Sequence, residues 1–184
     1  MLFALATLLS QISPAAAAPD RSQWKEDLVV AYAYGYTECE ETYTVVWAAE
    51  DLTHTVGAPD RANSGYLFSY SYNFCANDYT SMWGGSLVDL TMNRPGTFDA
   101  VADIYDAFTG ENSSVSISVS VSKDHTDRGV SNYVQSWPGG SLRVHFQGTQ
   151  TDGAATFTVN GVNIDGAEGF YFKASESELY FTHP

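Results

Sequence analysis

Apolar and polar residues alternate with a period of two along most of the chain, which is the pattern of β-strands that bury one face. The alternation is strictest at residues 114–122, where Val115, Ile117, Val119 and Val121 interleave with serines. Residues 66–74 are as regular: Tyr66, Phe68, Tyr70, Tyr72 and Phe74 share one face, and Leu67, Ser69, Ser71 and Asn73 share the other. The same period predicts strands at 28–34, 42–48, 86–92, 98–108, 141–147, 155–159, 169–173 and 178–182. Only residues 98–108 carry a competing helical reading, because Asp99, Asp103 and Asp106 lie at spacings of four and three. Val101, Asp103 and Tyr105 alternate as a strand would, and the segment is assigned so.

Turn chemistry separates these segments. Gly84-Gly85, Gly139-Gly140, Asp152-Gly153, Asn160-Gly161 and Asp165-Gly166 all accept positive φ and read as turns. Asn160-Gly161 stands between two short apolar runs and predicts a tight hairpin. Residues 123–138 read as a long loop, the connection best placed to carry function. Trp83-Gly84-Gly85-Ser86-Leu87 resembles Trp137-Pro138-Gly139-Gly140-Ser141-Leu142, which hints at a duplicated hairpin. Together these features predict an all-β fold. The expected form is an antiparallel β-sandwich of jelly-roll or immunoglobulin-like topology with about ten strands, and a closed barrel is the alternative.

The first residues do not belong to that fold. A short apolar run at residues 2–9 is followed by Ala15, Ala16, Ala17 and Ala18, the small residues a signal peptidase requires. No Lys or Arg precedes the run, a departure from the usual pattern. The run is too short to cross a bilayer, which takes about 20 apolar residues. Residues 1–18 are therefore expected to be a signal peptide and residues 19–184 a single domain, exported to an extracellular or periplasmic space. In such a compartment Cys39 and Cys75 are expected to form a disulfide, since neither sits in a C-x-x-C motif or beside a His.

Charge narrows the partners. The 184 residues include 22 acidic and 8 basic side chains, a net charge of -14. Such a surface repels phosphate backbones and anionic lipid, so neither nucleic acid nor membrane insertion is expected.

Three kinds of chemistry remain. Trp83 and Trp137 precede the Gly-Gly pairs, where an indole can stack on a sugar ring while Asp78 and Asn132 bond its hydroxyls. Asp124, Asp127, Asp165 and Glu168 are hard oxygen ligands in polar segments, suited to structural calcium. An EF-hand is excluded, because the run from Gly161 lacks the first and twelfth carboxylates. His54, His125 and His145, or Glu38, Glu40 and Glu41 around Cys39, are the residues a hydrolase would use, although no Gly-x-Ser-x-Gly elbow is present. The expectation is a non-catalytic binding module for a carbohydrate or a cell-surface protein, needing no cofactor beyond structural calcium. The alternative is a small secreted hydrolase with acids and bases assembled from loops.

Overall fold

Ten strands, all antiparallel to their neighbours, make one sheet: β1 (Asp20–Tyr36), β2 (Glu40–His54), β3 (Asp60–Asn73), β4 (Asp78–Arg94), β5 (Thr97–Asp106), β6 (Asn112–Val121), β7 (His125–Trp137), β8 (Gly140–Val159), β9 (Val162–Asn163) and β10 (Glu168–Thr182). The computed structural model describes residues 20–54 and 60–182. The expected signal peptide and the domain start at residue 19 lie outside the described residues. The all-β class, the strand number and the antiparallel pairing agree with the sequence.

Strand order is β10-β1-β2-β3-β4-β5-β6-β8-β7, and β10 also pairs with β8, so the pairings return on themselves. The junction is β8, whose 20 residues serve four neighbours, β6, β7, β9 and β10. Residues 140–152 lie between β7 and β10, and residues 155–159 pair with β6.

The buried face of this circuit is built from small and β-branched side chains. Val29, Ala31 and Ala33 of β1, Val46 and Ala48 of β2 and Leu67 of β3 meet Ala100 and Ala102 of β5, the four apolar residues Val115, Ile117, Val119 and Val121 of β6, and Phe98 and Phe157. Residues 98–106 thus resolve as part of the strand β5, with Phe98, Ala100 and Ala102 inward and Asp103 and Tyr105 outward, and residues 107 and 108 turn beyond it.

Cys39 and Cys75 are joined, with Cα atoms 5.2 Å apart, and tie the β1–β2 connection to the β3–β4 turn. Asn160 and Gly161 both have positive φ (50° and 75°) and close the predicted hairpin.

Several expectations are corrected. Gly84-Gly85 is not a turn: both residues lie inside β4, and Gly85 is required there because a Cβ would stand 1.7 Å from the Asp103 carbonyl oxygen. Asp152-Gly153 likewise lies inside β8, where Gly153 passes close to the Ser122 backbone. Residues 123–138 are not a loop but mostly the strand β7. Trp83-Gly84-Gly85 is mid-strand while Pro138-Gly139 turns between β7 and β8, so the two similar segments do not share a structure.

Candidate functional site: an aromatic outer face

On β3 the alternation places Leu67, Ser69 and Ser71 in the interior and the five aromatics Tyr66, Phe68, Tyr70, Tyr72 and Phe74 outside. Directly paired residues of an antiparallel sheet share a face, so the register extends this outer row sideways. Tyr70 is opposite Tyr43, which is opposite Tyr34; Tyr66 is opposite Trp47; Phe68 is opposite Val45, which is opposite Tyr32. Between Ser71 and Tyr72 the β3–β4 register shifts by a bulge at Thr80, which re-aims Tyr79 onto this same face.

The rings form a connected sheet of contacts. Tyr72 meets Tyr79 at 4.9 Å and Phe74 at 5.5 Å between centroids, Tyr70 meets Tyr43 and Tyr79 at 5.9 Å each, and Tyr36 meets Phe74 at 5.5 Å. Exposure is high at the margins, 57% for Tyr34 and 65% for Tyr36, and Trp47, Tyr66, Phe74, Tyr79 and Tyr105 are also exposed. Gly84 stands between Phe68 and Tyr105 in one cross-strand row. A Cβ there would stand 2.8 Å from the Leu67 carbonyl oxygen and 3.2 Å from the Phe68 ring, so this position packs closely against β3.

Polar groups are threaded through the rings. Tyr70 donates its hydroxyl to Glu41, which holds the phenol proton so firmly that its pKa is pushed up to about 12. Tyr72 donates to Asn77 Oδ1 at 2.8 Å. Tyr32 donates to Glu168 at 3.3 Å; desolvation first, and then this carboxylate, raises its pKa. The face therefore offers flat apolar rings beside fixed carboxylates, phenols and an amide on rigid strands.

The four residues expected to bind a ligand are not brought together. Trp83 turns inward and packs against the core near the disulfide end of the sheet, in register with Ser69 and Asp106. Trp137 is exposed at the far end of β7, opposite Gly140, which pairs with Thr182. Along β1 those two levels are separated by more than the 13 residues from Asp20 to Ala33, on the order of 40 Å. Asn132 lies on β7 with its Oδ1 2.7 Å from His145 Nδ1. Asp78 alone borders the aromatic face, where its carboxylate accepts the Tyr79 N–H. The aromatic row itself is visible in the sequence as the alternation of residues 66–74.

Nor do the expected calcium ligands converge as a set. Asp124 and Glu168 border one cleft of about 360 Å³ with Tyr32, His125 and Asp152. Asp127 bonds His125 at 3.3 Å outside it, and Asp165 accepts from Asn163 in a separate turn. Among the described residues, no group of three or more His, Cys, Asp or Glu side chains is gathered to hold a metal ion. At the end of the sheet away from the disulfide, a groove of about 630 Å³ is lined by Lys25, Arg128 and Lys173. Asp27 lies in it as well and binds Lys173 at 3.2 Å. Among the described residues no helix is long and apolar enough to cross a membrane.

No family model matches the chain, and no curated protein matches it. A solved structure described as an acetoacetate decarboxylase-like enzyme from Sphingomonas wittichii RW1 is similar over 97% of this chain and 98% of its own, with a TM-score of 0.33 and 9% identity. At that TM-score the likeness carries no argument about fold or activity.

Proposed function

We propose that this protein is a secreted, non-catalytic binding module that holds a neutral, extended glycan against the outer aromatic face of β1–β4. The observation that carries the reading is the outward direction of Tyr34, Tyr36, Trp47, Tyr66 and Phe74 on a sheet that has a filled interior. A contiguous exposed apolar surface of this kind marks an interaction site. Its composition favours sugars, because rings stack on the C–H faces of a pyranose while Glu41, Asn77 and the phenols bond its hydroxyls. The charge of -14 favours an uncharged glycan over a uronate or sulfated one. Neither nucleic acid nor a membrane enters this reading, for the same reason.

A thermal-melt screen tests it, because a ligand that binds only the native state raises the melting point, by about 2.7 kcal/mol of stability at a hundredfold excess over Kd. Neutral β-glucan, xylan or chitin oligosaccharides should raise it. A shift produced only by polyanionic saccharides, or by none of the glycans, overturns the reading.

A further inference from the structure

Among the described residues, strand β7 is bonded on one side only: its partner is β8, and none of them pairs with its other edge. Natural edge strands are guarded by shortness, charged side chains, Pro or a bulge. In β7 the charges Asp127 and Arg128 stand at one end only, and residues 129–137 carry no such guard and run against β8 in unbroken register to Trp137↔Gly140. All of its residues but Thr126 are exposed, including Val130 at 66%, Tyr133, Val134 and Trp137. We infer that this edge pairs with β7 of a second copy of the chain, antiparallel and centred on Asn132.

Three features select a second copy as the occupant. The first is backbone phase. Pro138-Gly139 is a two-residue connection, so Trp137 and Gly140 form the closing hydrogen-bonded pair and odd-numbered residues bond β8. Even-numbered residues then turn their N–H and C=O outward. A twofold axis through Asn132 pairs even with even: Asn132 with Asn132, Val130 with Val134, and Arg128 with Ser136. The second is side-chain match. Each Val130 meets a Val134 across the seam on one face, Tyr133 meets Ser131 on the other, and no like charges are opposed. The third is charge. Two chains of net charge -14 repel, yet residues 129–137 contain no ionisable acid or base except Tyr133. The adjoining stretch of β8 supplies Arg143, so the ribbon is the part of this chain that an acidic copy can approach.

The test is the molar mass of the mature protein by sedimentation equilibrium from 1 to 100 µM. A dimer is expected, and a monomer throughout the range overturns the inference. Asn132→Pro removes an outward N–H without breaking the β8 ladder, a place where an edge strand tolerates Pro. This variant should be monomeric with an unchanged far-ultraviolet spectrum, and a surviving dimer overturns the pairing. Should it misfold, Val130→Lys/Val134→Lys sets ammonium opposite ammonium across the same seam and must also yield a monomer. Asn132→Cys should oxidise to a covalent dimer while Gln135→Cys does not; the reverse result overturns the register. The glycan reading concerns the other face of the molecule, so either can fail without the other.

Discussion

Tyr72 of β3 and Tyr79 of β4 meet edge to face on the outer surface, centroids 4.9 Å apart and planes at 64°. The pair exists because the bulge at Thr80 shifts the β4 alternation by one residue. Without it, and with Thr80 kept in the ladder, Tyr79 would face the interior, on the side of Ser69 and Ser71. Deleting Thr80 should instead make the ladder regular, with Tyr79 still opposite Tyr72 on the outer face. A chemical-shift map of the tyrosine rings, with Tyr79 keeping its contact to Tyr72, checks this.

The pH response of the face follows from Tyr70. Its hydrogen bond to Glu41 raises the phenol pKa from the ordinary value of about 10 to about 12. The folded protein thus holds this proton more tightly than the unfolded chain. The stabilisation is complete below about pH 10 and is lost as pH rises through about 12. An ultraviolet titration of phenolate should show tyrosine ionisation extending to about pH 12, and Glu41→Gln should return Tyr70 toward the ordinary range. An unaltered late titration in that variant would remove Glu41 as the cause.

Gly85 is held by close packing, not by turn geometry. Gly85→Ala forces Cβ against the Asp103 carbonyl and should destabilise by about 2–3 kcal/mol. Gly129→Ala, where nothing lies within 4 Å, should change stability by less than about 0.5 kcal/mol. Urea midpoints for the two variants make the comparison.

Breaking the Cys39–Cys75 bond opens a loop of 36 residues of separation and should cost about 3–4 kcal/mol. For a domain of this size that lowers Tm by about 10 °C. Calorimetry with and without reductant measures it, and an unchanged Tm would contradict the estimate.

Much of the fold was legible in the alternation, but its sense was not. Residues 114–122 reveal both their strand and their buried face, because only the valine and isoleucine side can be apolar. Residues 66–74 reveal the strand alone: that Leu67 and Ser69 are the inner residues depends on their partners across the sheet, Val46 and Thr44. β7 was hidden because both faces are solvated, which erases the contrast between apolar and polar positions. Trp83-Gly84-Gly85 misled in the other direction, since a glycine pair demanded by close strand packing looks the same in sequence as one demanded by a turn.

The central claim is that the outer aromatic face is the glycan surface. It is tested most directly by titrating a glycan that shifts the melting point against wild-type protein, Trp47→Ala/Tyr66→Ala and Trp137→Ala. The double variant should lose affinity by about tenfold or more, at least about 1.4 kcal/mol, with a Tm near that of the wild type. Trp137→Ala, at the far end of β7, should bind as the wild type does. Undiminished binding by the double variant, or loss in Trp137→Ala alone, would contradict the account.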